Sequence, residues 1–175
     1  MVRFKPFPAL DTPRLHLRQL LHKDAPALLA LRSDDIVNKY IDRPPTITIE
    51  DAKAFIEKIN TLIANNESIY WILCLKDQTD LIGTICLWNF SEDQTQAEIG
   101  YELVPAFHGK GLMNEALQAV LNYARAQLHL KKISAYTHRD NISSTSLLKK
   151  NNFEVVTGKT DEENKNNIIL ELSFA

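Results

Sequence analysis

The chain has 175 residues, a formal net charge of -2 and an apolar fraction of 45%. That length suits one domain, expected over residues 1–175, with a core of its own, and the near-neutral charge argues against a general nucleic-acid-binding surface while leaving room for a local basic patch. No apolar run reaches the roughly 18 residues of a membrane span, and Met1–Leu10 lacks the apolar stretch of a secretory leader, so a cytoplasmic protein without membrane contact is expected.

Arg14–Leu20 alternates Leu15 and Leu17 with polar residues and predicts a first strand. Lys23–Leu31 fits a short helix, with Asp24 as N-cap and Pro26 in the first turn. Asp34–Ile47, which contains Pro44-Pro45, is a loop or a broken helix. Thr48 opens a second helix with Asp51 three residues on, a capping box with Asp in place of Glu; its apolar face is Ala52, Phe55, Ile56, Ile59 and Ile63, and Asn65-Asn66 ends it. Ile69–Leu75 and Leu81–Phe90 are strands joined by the polar Lys76–Asp80, an antiparallel hairpin. Ser91–Gln96 turns into a third strand, Ala97–Val104, so the three form a meander.

Gly111–Leu128 predicts a helix with Met113, Ala116, Leu117, Val120, Leu121 and Ala124 on one face. Lys132–Thr137 is a strand, Ser143–Lys150 a helix, and Phe153–Thr157 and Ile168–Phe174 are the last strands, separated by the polar stretch Gly158–Asn167. The order βαα-βββ-α-β-α-ββ gives an α/β (α+β) fold, a mixed, mostly antiparallel central sheet flanked by helices. Trp71 and Trp88, within strands, are expected in the core or a cleft wall. Cys74 and Cys86 sit in apolar runs without metal-ligand spacing and read as reduced thiols. The histidines show no metal or triad spacing, and no metal is expected.

The chemistry concentrates where a strand runs through Gly109 and Gly111 into the long helix. Bare N–H groups and the helix dipole both favour an anion there, and glycine lets a phosphate approach the backbone. A Walker A loop would need Gly at Val104 and Ser or Thr at Gly111, and a dinucleotide fingerprint would need a third glycine; both are excluded. A tight turn without ligand remains the alternative.

His108-Gly109-Lys110-Gly111-Leu112-Met113, followed by Asn114-Glu115-Ala116, resembles the acetyl-CoA signature of the GCN5-related N-acetyltransferases (GNAT), in particular the branch of the ribosomal-protein N-terminal acetyltransferases RimJ and RimL. Gly111 matches; His108 stands where the general signature has Gln or Arg, and Met113 where it has Gly or Ala. Leu10–Leu15, Tyr40–Phe55, Glu98-Ile99-Gly100-Tyr101 and Asp140–Phe153 resemble the opening strand, the substrate region, the central strand and the second CoA segment of that branch, in the same order.

The resemblance implies a direct transfer of acetyl from acetyl-CoA, as cosubstrate, to an amine in a ternary complex. The backbone at Leu103–Val104 would stabilise the oxyanion. His108, Gly109, Lys110, Gly111, Leu112, Met113 and Asn114 would hold the cofactor phosphates, and Asn141 the pantetheine arm. Glu98 is the first candidate for general base, through water, with Tyr101 and Glu102 as competitors. Glu98 and Glu102 lie an even number of residues apart and so share a strand face. Ser144 would protonate the departing thiolate. Tyr40 and Arg43, with Tyr101, are candidates for acceptor binding. The acceptor would be a protein N-terminus, ribosomal or other, or a small amine such as a polyamine, amino acid or antibiotic. A catalytically silent acyl-CoA-binding sensor and a nucleotide-phosphate binder are the other classes. A monomer or a homodimer is expected, the dimer by strand pairing if Ile168–Phe174 lies at a sheet edge.

Overall fold

The structure, a computed structural model, describes residues 3–174; Met1, Val2 and Ala175 of the expected domain and leader-free N-terminus lie outside the described residues. A mixed sheet of eight strands is covered by helices on both faces. The strands are β1 (Leu10–Asp11), β2 (Leu15–Gln19), β3 (Ile69–Leu75), β4 (Gly83–Trp88), β5 (Gln96–Leu103), β6 (Lys132–His138), β7 (Glu154–Val155) and β8 (Asn167–Ser173). The helices are α1 (Ala25–Ser33), α2 (Asp35–Asn38), α3 (Ile49–Ala64), α4 (Leu112–Ala126) and α5 (Ile142–Lys150). The spatial order is β1-β2-β3-β4-β5-β6-β8-β7, with β5 and β6 parallel and the other described neighbours antiparallel.

The expected fold class is the observed one, with additions at its start. The two-residue β1 escaped the alternation pattern because it is too short to carry one. Asp24 does precede α1, but its carboxylate makes no side-chain cap bond to that helix. It binds the Arg18 guanidinium at 2.8 Å and the Leu21 N–H at 2.8 Å instead. The broken-helix option for Asp34–Ile47 is realised as α2, because the Asp34 side chain accepts from the N–H groups of Ile36 and Val37. The Thr48–Asp51 box forms in both directions, as the sequence required. Phe153–Thr157 shrinks to the two residues of β7. Phe4, outside any predicted element, is fully buried, and Trp71 Nε1–H donates to the Pro8 carbonyl at 2.7 Å.

The alternation of side chains assigns the two faces. Trp71 stacks edge-on against Tyr123 of α4, so the odd residues of β3 face α4 and α5. Tyr70 packs against Phe55 of α3, so the even ones face α1–α3. The register Tyr70↔Cys86↔Gly100 carries this assignment across to β5. Burying the Leu117, Val120 and Leu121 stripe of α4 contributes roughly 1.5–3 kcal/mol per large side chain.

One feature of the sheet creates the site. β5 and β6 pair over Gln96–Glu98 and Lys132–Ser134 only, then part. β5 stays on β4 as far as Leu103, while β6 stays on β8 as far as His138. The parallel pair therefore opens as a V toward its C-terminal ends. Gly83 sits under one arm: a Cβ there would lie 2.6 Å from the Glu102 carbonyl oxygen and 2.8 Å from a Leu103 methyl. Gly83→Ala should therefore push β5 away from β4 and cost about 1–3 kcal/mol, read as a lower melting temperature in a thermal unfolding scan.

Candidate active site

The V is the wall of a cavity of about 930 Å³. It is lined by β5 from Ile99 to Leu103, by β6 from Ala135 to His138, by the Gly109–Gly111 turn, and by Asn141 and Ser144 of α5. Thr95, in the turn before β5, accepts from the Lys132 N–H at 3.2 Å, so odd-numbered peptide groups of β5 point toward β6. Past the last paired residue that alternation leaves the Ile99, Tyr101 and Leu103 peptide groups facing the open V. Val104 differs: its N–H donates to the Ile82 carbonyl at 2.8 Å. This corrects the sequence expectation for Val104 as an oxyanion donor and leaves Leu103 of the pair.

At the wide end of the V stands the Gly109–Gly111 turn, the candidate phosphate cradle. Gly109 and Gly111 hold φ of +71° and +75°, the left-handed region that favours glycine, and a Cβ on Gly109 would meet nothing within 4 Å. Gly111 is the N-cap of α4 and supplies no side-chain cap, so the first-turn N–H groups have no side chain of the cap residue across them. Open space above a glycine, a helix N-terminus and a flanking lysine fit an anionic diphosphate. Met113, at the signature position of Gly or Ala, and Leu112 are buried in the core and border the cavity. The His108 ring folds back so that Nε2 lies 2.7 Å from the Leu103 carbonyl oxygen. The Lys110 ammonium lies 5.3 Å over the Phe107 ring and Lys110 does not line the cavity. Asn114 Oδ1 accepts from Asn151 of the α5 C-terminus at 2.9 Å.

Inside the V, on the α4–α5 face, the Tyr101 and Ser144 hydroxyls are 2.8 Å apart. Burial pushes the Tyr101 phenol up to about 12, against the opposing pull of the Ser144 bond, so Tyr101 is protonated at neutral pH. That makes it a proton donor and argues against it as a base. Asn141 caps α5, its Oδ1 accepting from the Ser144 N–H at 3.1 Å, which fixes Ser144 beside Tyr101.

Glu98 and Glu102 share the opposite face, as their spacing required, yet their settings differ. Glu98 is the last β5 residue paired with β6 and lies outside the cavity lining. Asn89 Nδ2 donates to its Oε1 at 2.6 Å. Burial raises its pKa above the ordinary glutamate value; the Asn89 bond opposes this, and Asp161 and Glu163 add to the rise. Glu102 lines the cavity and is ion-paired with Arg43.

Arg43 is thereby corrected as an acceptor-binding candidate: its guanidinium is spent on Glu102 and, at 2.6 Å, on Asn38 Oδ1. Arg32 lies close by, its pKa lowered by burial and by Arg43. Tyr40 does line the cavity and stacks on His138 with ring centroids 5.3 Å apart. Segment 40–43 thus bridges the V, from β6 at Tyr40 to β5 at Arg43. His138 carried no sequence signal of its own; its place at the end of β6 gives it this partner. Trp88, the last residue of β4, is 49% exposed and does not line the cavity, rather than in core or cleft wall.

Among the described residues, no group of three or more His, Cys, Asp or Glu could hold a metal ion, and no helix is long and apolar enough to cross a membrane.

Residues 14–154 match the acetyltransferase (GNAT) domain family, and the chain belongs to that family. It is similar to the uncharacterized N-acetyltransferase YoaA of Bacillus subtilis, 35% identical over 148 residues, or 85% of this chain and 84% of the relative. In fold it is similar to RimL, a ribosomal L7/L12 alpha-N-protein acetyltransferase, with a TM-score of 0.83, 18% identity and coverage of 95% and 94% of the two chains. The microcin C7 self-immunity acetyltransferase MccE, solved with acetyl-CoA and AMP, has a TM-score of 0.80 at 20% identity and coverage of 93% and 94%.

Proposed function

We propose that this acetyltransferase moves acetyl from acetyl-CoA to a primary amine by direct attack within a ternary complex. The observation that carries the proposal is the Tyr101–Ser144 hydroxyl pair, 2.8 Å apart in the same V as the open glycine cradle. The cradle at Gly109–Met113 takes the diphosphate, the pantetheine arm runs along the peptide edge of β5, and Asn141 lies within the same wall. The Leu103 N–H is the donor for the thioester oxyanion. The amine nitrogen bonds to the acetyl carbon, the carbon–sulfur bond breaks, and the thiolate takes a proton from the Ser144–Tyr101 pair. Glu98, one residue before the cavity lining begins at Ile99, accepts through intervening water the proton that the amine loses. The likeness to RimL and the chain's RimJ/RimL-like segments favour a protein N-terminal amine as acceptor, entering from the α1–α3 side between segment 40–43 and the loop around Asp161–Asn167.

Calorimetric titration tests this proposal. Acetyl-CoA and CoA should bind and ATP should remain silent; ATP binding as tight as CoA binding would instead support a nucleotide-phosphate binder. Tyr101→Phe and Ser144→Ala should each lower kcat by about 10-fold or more with little change in acetyl-CoA affinity. The double variant should fall little below the weaker single, because the two hydroxyls act as one unit. Unchanged turnover in the double variant Glu98→Gln, Ser144→Ala would remove both residues from the chemistry.

A further inference from the structure

We propose that Arg14 is a positioning residue for the phosphate cradle, fixing the Lys110–Gly111 peptide from outside the cavity. The inference rests on the reading of that cradle as the CoA diphosphate site. Arg14 stands between β1 and β2, far from the cradle in sequence. Its Nη1 donates to the Lys110 carbonyl at 2.9 Å. Its Nε donates to Glu115 Oε2 at 2.7 Å, and its backbone N–H to Glu115 Oε1 at 2.8 Å. The Thr12 hydroxyl adds a third donor to that carboxylate at 2.5 Å.

Two consequences follow from elementary geometry and charge. In a trans peptide the C=O and the following N–H point in opposite directions. Holding the Lys110 carbonyl toward Arg14, which does not line the cavity, therefore turns the Gly111 N–H away from Arg14, and Gly111 itself lines the cavity. This peptide turns about ψ of Lys110 and φ of Gly111, and the glycine on its one side widens the angles open to it unless the carbonyl is held. The second consequence concerns Glu115. A carboxylate in the first turn of α4 would compete with a phosphate for the same helix end. Three hydrogen bonds and the Arg14 charge draw it to the β1–β2 side and hold its pKa below the ordinary glutamate value, although burial opposes them. The anion at the helix start is thus neutralised by the residue that orients the cradle.

The test compares Arg14→Gln, Arg14→Lys and Thr12→Val with the wild-type chain in two measurements. In the ligand-free protein, amide hydrogen exchange at Gly109–Met113 should quicken about tenfold in Arg14→Gln. By calorimetry its Kd for CoA should rise about tenfold or more, while the Kd for acetyl-pantetheine, which lacks the diphosphate, stays put. Arg14→Lys keeps the charge but not the fork, and should not restore either readout. Thr12→Val keeps Arg14 and should fall between. Unchanged exchange together with unchanged CoA affinity overturns the proposal, as does an equal loss of affinity for CoA and acetyl-pantetheine. A wild-type chain that binds no CoA defeats the functional reading instead, and the exchange measurement still decides whether Arg14 orders the turn.

Discussion

Arg43→Met should destabilise the fold by about 3–5 kcal/mol, because it removes one member of a buried ion pair and leaves the other. Both side chains of the Arg43–Glu102 pair are 12% exposed. Glu102 Oε2 is already buried without a hydrogen-bond partner, so losing Arg43 strips the carboxylate of its ion-pair partner. Arg32 is near enough for its charge to act on Glu102, and it limits the loss without replacing the bond. In a chain of this length the change corresponds to a fall in melting temperature of about 10 °C. Arg43→Met combined with Glu102→Met should recover most of it, since an apolar pair of similar volume carries no stranded charge. Recovery in the double variant separates the cost of an orphaned carboxylate from a general loss of packing. A single variant as stable as wild type would show that the pair contributes nothing.

The second large effect concerns catalysis. Glu98→Gln should lower kcat by about 100-fold, the scale of a lost general base. The sign of the pH dependence follows from its surroundings. Burial, with Asp161 and Glu163, lifts the Glu98 pKa against the Asn89 bond, so the ionised form appears at higher pH than for a solvated glutamate. The acid limb of kcat/KM should therefore sit higher than for a solvated glutamate, and it should vanish in the Gln variant. Stability runs the other way. Between the ordinary and the raised value the folded chain binds more protons at this site than the unfolded chain does, so the contribution of Glu98 declines as pH rises through that window. Wild-type turnover in Glu98→Gln, with the acid limb intact, would move the proton acceptor to Glu102, the carboxylate that lines the cavity.

Local signals in the sequence carried most of the fold. The apolar stripe of α4 is buried at each expected position, because a 3.6-residue period is complete within one helix. The Thr48–Asp51 box formed because both partners lie within one turn. The site was legible in part. Gly109, Gly111, Tyr101, Asn141 and Ser144 come together around one cavity. What the sequence hid is long-range pairing. Arg43 and Glu102 are 59 residues apart, and Arg14 and Glu115 are 101. A lone arginine in a loop looks the same whether it awaits a substrate or is already spent on a strand. The spacing of Glu98 and Glu102 correctly put them on one face, but could not say that β5 and β6 part just beyond Glu98. Only that parting exposes one carboxylate to the cavity and leaves the other outside it.

The two margins of the sheet bear on how the chain behaves in a crowd. Each outermost strand, β1 and β7, is two residues long. β8, which as a bare edge could have recruited a second copy, is instead flanked by β6 and, at Leu170 and Glu171, by β7. A neighbouring chain seeking to extend the sheet finds no run of free backbone long enough to template a strand on β1 or β7. Strand addition along the whole outer edge of β8 therefore requires β7 to leave Leu170 and Glu171, so the β7–β8 register is a point at which tolerance of high concentration is set.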